Sequence, residues 1–205
     1  MLPVERFSGL GRLYHRTRPS YSRGVLDFLK QRAPGLDACD VGAGTGIFTA
    51  LLVESGFAVT AVEPNQSMRQ AAQWNARVNV VAGTAEHTTC APRSFDCITA
   101  AQAFHWFDVD AAVTEMHRIG RPGALCAALW NDRTNEPGVD GEAPSLNADI
   151  NALLREFSAE FRVARRVNET IALLKQRVPH GERVEFDNEQ EVTRDGIVDN
   201  FWARS

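Results

Sequence analysis

The sequence predicts an α/β chain: a doubly wound, mostly parallel sheet with helices on both faces. Three observations lead there. Five short apolar runs alternate with helix-like stretches through short connections. The first run opens into a turn of alternating glycines, Cys39-Asp40-Val41-Gly42-Ala43-Gly44-Thr45-Gly46, followed by a helical pattern. An acid, Glu63, stands 23 residues after Asp40 at the tip of the second run, where a βαβ unit places its sugar-binding carboxylate. The 205 residues are read as one domain, large enough to bury about 70% of its unfolded surface.

Taken in order, residues 1–20 read as irregular and basic, with Arg6, Arg12, Arg16 and Arg18. Ser20 or Ser22 caps a helix to about residue 30, with Val25, Leu26, Phe28 and Leu29 on its apolar side. Pro34-Gly35 turns the chain into a strand at residues 36–41. The helix after the glycine turn runs to Ser55, with Ile47, Leu51 and Leu52 on one face and Gly56 as its stop. Strand two is 58–62 and ends in Glu63-Pro64-Asn65. Asn65 or Ser67 caps a helix holding Met68, Ala71 and Ala72. Strand three is 78–81, and Gly83-Thr84-Ala85-Glu86 forms a loop at its carboxyl end. Strand four is 95–100. Asp108 caps a helix with Val109, Val113 and Met116 at i, i+4 and i+7. Gly120-Arg121-Pro122-Gly123 stops it and turns into strand five at 124–130.

Residues 131–145 are polar and rich in proline and glycine, hence a loop. Leu146, Ile150, Leu153, Leu154, Phe157 and Phe161 then mark an amphipathic helix, residues 183–186 a short strand, and Thr193 the cap of a last helix with Ile197, Val198 and Phe201. The parts expected are an N-terminal lid and helix over 1–34, a ligand-binding core over 35–131 and a C-terminal part over 132–205.

Composition narrows the function. The chain is 44% hydrophobic and 23% charged, as a globular protein is. A net charge of −4 argues against a general nucleic-acid binder. The basic excess over 155–183 reads as a solvated helix face. Cys39, Cys90, Cys97 and Cys126 show no Cys-x-x-Cys spacing and no histidine pairing, so no metal site is expected. Free thiols in apolar runs point to a reducing compartment. The longest apolar run, 124–130, is too short to span a bilayer and the N-terminus has no signal-peptide core. The expectation is a cytoplasmic protein without membrane or nucleic-acid partners, a monomer or homodimer.

The glycine spacing separates ligand classes. A pyrophosphate turn needs Gly-x-Gly-x-x-Gly, but its third position here is Ile47, and the third glycine falls one residue early at Gly46. Asp40, two residues before Gly42, would repel a pyrophosphate and suits a ligand with an ammonium and a sulfonium. A dinucleotide oxidoreductase is therefore disfavoured.

The segment Asp40-Val41-Gly42-Ala43-Gly44-Thr45-Gly46 closely resembles the first motif of class I S-adenosylmethionine-dependent methyltransferases, and the expected fold is accordingly Rossmann-like. Further segments resemble the small-molecule branch that includes trans-aconitate methyltransferase: Tyr14-His15-Arg16-Thr17-Arg18-Pro19-Ser20-Tyr21, Ala61-Val62-Glu63-Pro64-Asn65, Gly83-Thr84-Ala85-Glu86, Ala101-Gln102-Ala103-Phe104-His105-Trp106-Phe107, and Arg118-Ile119-Gly120-Arg121-Pro122-Gly123-Ala124 with Trp130-Asn131. The resemblance implies strand order 3-2-1-4-5-7-6. Strand six has its candidate at 183–186. Strand seven has none before Ser205, so the expectation is a truncated chain, a strand six that moves over, or a strand supplied by a partner. Thr84 stands where many relatives carry an aspartate.

By the same resemblance, Gly42, Ala43, Gly44 and Gly46 pass close to the methionyl part of the cofactor and Asp40 holds its ammonium through water. Glu63 takes the ribose hydroxyls, beside Pro64; its alternative reading is an exposed helix-capping acid. Thr84, Ala85 and Glu86 border the adenine, and Ala101 and Gln102 lie by the sulfonium. Tyr14 and Arg18 fold over as a lid, with Arg18 near a carboxylate. His105 is either a general base or hydrogen-bond donor to an acceptor carboxylate, or a helix-end residue that positions Trp106. Phe104, Trp106 and Phe107 wall the acceptor pocket or face the sulfonium, with a core role favoured for Phe107, and Trp130 and Asn131 edge the pocket. The implied activity is methyl transfer to a small-molecule oxygen of a carboxylate or hydroxyl, leaving S-adenosylhomocysteine, without a metal. The alternative is a catalytically idle S-adenosylmethionine-binding or partner-binding protein.

Overall fold

A computed structural model describes residues 20–131 and 160–188, with side chains of the second stretch from residue 167 onward. Its elements are α1 (Arg23–Arg32), β1 (Asp37–Val41), α2 (Ile47–Glu54), β2 (Ala58–Val62), α3 (Gln66–Ala71), β3 (Asn79–Val81), β4 (Phe95–Ala101), a 3₁₀ turn (Phe104–Trp106), α4 (Val109–Ile119), β5 (Gly120–Leu129) and α5 (Glu160–Arg177). The sheet is parallel throughout, in the order β3-β2-β1-β4-β5. That is the expected α/β Rossmann-like core.

Strand alternation divides the interior into two layers. Cys39, Val41, Val62, Ile98 and Ala100 face Ala112, Met116 and Ile119 of α4. Ala38, Val59 and Cys97 face Leu26 and Leu29 of α1 and Phe48 and Leu52 of α2. Ile98 and Leu52 are both 0% exposed, and each such side chain contributes about 2 kcal/mol by leaving water. β1 sits between the two layers, so both hold the turn at its carboxyl end.

Several boundaries and faces differ from the sequence reading. β1 begins at Asp37 because Leu36 is left exposed. α2 buries Phe48, Thr49 and Leu52; Ile47 and Leu51 are only half-buried. Its N-cap, Gly46, is left-handed at φ 81°, which sets the rotation at which the helix leaves the turn. Gly120 to Gly123 form no turn between α4 and β5. Gly120 already pairs with Phe95, a register shift lies between Phe95 and Cys97, and Gly123 takes φ 81° inside the strand. The irregularity is a bulge within the ladder.

The expected strand at 183–186 is not a strand. Phe186 lies against α1 instead, meeting Phe28 edge-on at 5.7 Å, and the preceding Glu182 pairs with Arg32 at 2.8 Å. The helix face read over 155–183 corresponds to α5, whose first turn holds Phe161. It packs against α4 and the 3₁₀ turn, with Leu174 on the first layer. The expected helix through Leu146, Ile150, Leu153, Leu154 and Phe157, the last helix of Ile197, Val198 and Phe201, and the lid residues Tyr14 and Arg18 lie outside the described residues.

Candidate functional site

The carboxyl ends of β1, β2, β4 and β5 share one rim of the sheet, and every described candidate site residue falls along that rim or in the loop after β3. Gly42 and Ala43 both donate their N–H groups to the carbonyl of Val62, at 2.8 and 3.1 Å, which fastens the turn to the end of β2.

The three glycines of the turn are not equivalent. A Cβ on Gly42 would stand 2.7 Å from the Ala103 methyl, and one on Gly46 would stand 2.7 Å from the Trp74 ring. Those two positions are filled by the protein's own side chains. A Cβ on Gly44 would meet nothing within 4 Å. Gly44, at φ 58°, is the glycine that exposes backbone to the rim.

Glu63 faces this opening. Its Oε2 accepts the Gly44 N–H at 2.8 Å and its Oε1 accepts the Asn65 N–H at 2.8 Å. The residue is buried, which rules out an exposed capping acid; the cap of α3 is Asn65, whose Oδ1 accepts the Met68 N–H at 3.1 Å. Arg69 donates to the carbonyls of Glu63 and Pro64, at 2.6 and 2.8 Å, and fixes the bend that aims the carboxylate. Burial pushes the Glu63 carboxyl upward, against the two backbone N–H donors and Arg69, which lower it. Each oxygen accepts one hydrogen bond and keeps a lone pair for another donor.

Asp40 does not present itself to a ligand. It is 1% exposed, with Thr49 Oγ1 donating to one oxygen at 2.6 Å and Thr99 Oγ1 to the other at 3.0 Å. Burial raises its carboxyl to about 6 despite both hydroxyls, with the Glu63 charge adding to the rise. Asp40 joins β1, β4 and α2 beneath the turn; its expected contact with an ammonium has no counterpart in this geometry.

After β3 the loop closes on itself. Thr84 and His87 exchange backbone hydrogen bonds, and Thr84 Oγ1 accepts the His87 N–H at 3.2 Å. Ala85 is buried, and Glu86 Oε1 accepts the Asp108 N–H at 3.0 Å at the entrance of α4. Asp108 caps α4 as expected, its Oδ1 accepting the Ala111 N–H.

At the tip of β4, Ala101 is half-buried and Gln102 is left-handed, at φ 54°. Gln102 donates its N–H to the Leu129 carbonyl at 2.8 Å and its side-chain amide to the Asn131 carbonyl at 3.0 Å. Asn131 donates to the Ser20 carbonyl, and Asn188 donates both to that carbonyl and to Asn131 Oδ1. An amide cluster thus joins the tips of β4 and β5 to Ser20 and Asn188. His105 is buried in the 3₁₀ turn, where its Nδ1 accepts the Trp130 indole N–H at 3.3 Å. With Nδ1 accepting, the neutral ring carries its proton on Nε2. The Trp106 ring lies 5.0 Å away. Phe104 is buried in the first interior layer, and the half-buried Phe107 packs against it.

Sequence reading missed Trp74 at this rim. Its indole donates to the Arg69 carbonyl and its ring covers Gly46. A tryptophan in the polar stretch after α3 was the available signal. Among the described residues no three His, Cys, Asp or Glu side chains gather as for a metal ion, and no helix is long and apolar enough to cross a membrane.

Comparison with known proteins follows the same lines. Residues 39–128 match the methyltransferase domain family. An uncharacterized methyltransferase of Mycobacterium tuberculosis is 38% identical over 126 residues, covering 61% of this chain and 51% of that protein. A solved structure from Anaeromyxobacter dehalogenans, described as a type II methyltransferase, is 39% identical at a TM-score of 0.55, over 60% of this chain and 53% of that one. A second, from Methanococcus maripaludis, superposes at a TM-score of 0.55 over 90% of both chains with 19% identity, a likeness of fold alone. The chain spans about half the length of the curated relatives it matches.

Proposed function

We propose that this chain, whose residues 39–128 match the methyltransferase domain family, binds S-adenosylmethionine along the carboxyl rim of its sheet and transfers the methyl group to a small-molecule oxygen. The ordered motifs favour the branch resembling trans-aconitate methyltransferase, and with it a carboxylate or hydroxyl acceptor. One observation carries the reading: Gly44 is open on its outer side while its N–H is held by the Glu63 carboxylate.

The residues fit such a ligand. The bare backbone at Gly44 admits a close approach, and the spare lone pairs of Glu63 suit a vicinal diol. Thr84 and Ala85 form the loop on the adenine side. Bound there, S-adenosylmethionine supplies a methyl already activated by its sulfonium. The work left to the protein is alignment, for which well-oriented reactants gain roughly 7–11 kcal/mol.

His105 has the polarity of a donor toward the acceptor. Its Nδ1 accepts the Trp130 indole N–H beside the rim, and a carboxylate acceptor, already anionic, needs no base. Asp40 serves from beneath by bracing the turn. Thermal stabilisation by S-adenosylhomocysteine and none by NADH is the expected result; stabilisation by NADH alone refutes the reading.

A further inference from the structure

The loop from Gly83 to Cys90 is held more firmly than a surface connection requires. It leaves β3 just after Val81, whose carbonyl accepts the Glu63 N–H at 3.2 Å, so the loop and that acid share one origin. Its return crowds its start: a Cβ on Gly83 would stand 2.6 Å from the Thr88 carbonyl oxygen. Between them Thr84 and His87 close a turn with Ala85 and Glu86 at its tip. Glu86 ties that tip to the entrance of α4 through the Asp108 N–H.

A second tie to α4 lies beneath the tip, and it is ionic. Glu115 Oε1 accepts both the N–H and the hydroxyl of Thr88, at 2.8 and 2.6 Å. Arg118 donates to both Glu115 oxygens and, through Nη2, to the Cys90 carbonyl at 2.8 Å. Hydrogen bonding from Arg118 pushes the Glu115 carboxyl down to about 2, with the Thr88 donors adding to the fall and burial opposing it. The Cys90 N–H closes back on Thr88 Oγ1 at 3.3 Å. Thr89, between the two anchors, takes φ 64°, a left-handed conformation that a β-branched residue adopts only under constraint. Thr88 is 0% exposed and Glu115 6%, so neither reaches a ligand, and what they do for one is done through the loop.

Resting on the reading that S-adenosylmethionine lies along this rim, we propose that Glu115 is a positioning residue for its base: by holding Thr88 it fixes the Ala85–Glu86 tip so that adenine is preferred to hypoxanthine, its oxo counterpart. The two bases present opposite polarity along one edge. Adenine donates from its amino group and accepts at the adjacent ring nitrogen; hypoxanthine accepts at its carbonyl and donates from that nitrogen. A tip tied to α4 at Glu86 and again at Thr88 offers one fixed arrangement of polar groups, and the mismatched edge leaves some of them unpaired. A tip released from the lower tie turns its groups to suit either edge.

Calorimetry of the whole chain with S-adenosylhomocysteine and with S-inosylhomocysteine tests it. Wild type should bind the adenine form at least about tenfold more tightly. Thr88→Val removes the hydroxyl at nearly constant shape, and Glu115→Ala removes the carboxylate. Each should cut that ratio at least about fivefold, mainly by weakening the adenine form. Thr88→Ser keeps the hydroxyl and should keep the ratio. A clamp that only braced the fold would lower the melting temperature of Thr88→Val and weaken both ligands alike. An unchanged ratio in Thr88→Val therefore overturns the proposal, even if Glu115→Ala does not fold. Equal wild-type affinity for the two forms also overturns it and leaves the methyltransferase reading standing. No wild-type affinity for either form brings down that reading and this inference with it.

Discussion

Glu63 Oε2 accepts the backbone N–H of Gly44 at 2.8 Å across 19 residues of chain. The acid at the tip of β2 and the open glycine of the β1 turn are therefore one structural unit. A change in either must be felt by the other.

Removing the carboxylate tests that unit. Glu63→Ala should weaken S-adenosylhomocysteine binding at least tenfold, about 1.4 kcal/mol. It should also lower the melting temperature, because Gly44 and Asn65 lose their acceptor. Glu63→Gln keeps one acceptor oxygen and should lose less of both. Unchanged affinity in calorimetry for Glu63→Ala would end the ribose role.

The glycines should separate by what surrounds them. Gly42→Ala and Gly46→Ala drive a methyl into Ala103 and the Trp74 ring, beyond the roughly 1–2 kcal/mol that a left-handed alanine costs. Both should unfold at clearly lower temperature than wild type. Gly44→Ala meets open space and should lose only the backbone cost, while affinity for S-adenosylhomocysteine falls steeply. Equal stability losses at all three positions would contradict the distinction.

Asp40 should make stability depend on pH in a definite direction. Its carboxyl titrates at about 6 in the fold against 3.8 ordinarily, so the folded state holds the proton more tightly than the unfolded chain. That contribution is full below about pH 4 and is lost as pH rises through about 6. A shift of about two units in a fully buried group amounts to about 3 kcal/mol. Asp40→Asn stays neutral at every pH, so its stability relative to wild type should rise by about that amount between pH 4 and pH 8 in urea unfolding. A pH-independent difference would show that the burial argument is wrong.

His105 should behave as an anchor. With an acidic acceptor, His105→Ala should raise KM about tenfold and leave kcat within a few-fold, the pattern of lost ground-state binding. A fall in kcat together with loss of a titrating limb near neutral pH would mark it as a base.

Much of the core was readable because its signals are local. The bounds of β2 stand as read, between Gly56 and the bend at Pro64, and Asp108 caps α4 from its own side chain. Glu63 was placed by distance along the chain, and the structure adds its hydrogen-bonded partner. What escaped depends on distant contacts. The Thr99 that satisfies Asp40 lies 59 residues away, so a buried brace read as a ligand contact. Trp74 accounts for Gly46 only once α3 has folded back. Residues 183–186 alternate like a strand, yet Phe186 finds Phe28 of α1 rather than a sheet edge. Asn65 and Ser67 were equal candidates by sequence, and only the Met68 N–H distinguishes them.

The central claim is that the Gly44–Glu63 unit receives an S-adenosyl ligand, and backbone amide NMR during titration with S-adenosylhomocysteine reads it directly. The account predicts saturable shifts of the Gly44 and Asn65 amides, with the Asp37 amide at the opposite end of β1 unmoved. Gly44 and Asn65 amides that stay in place at saturating ligand, or that respond to NADH instead, would contradict it.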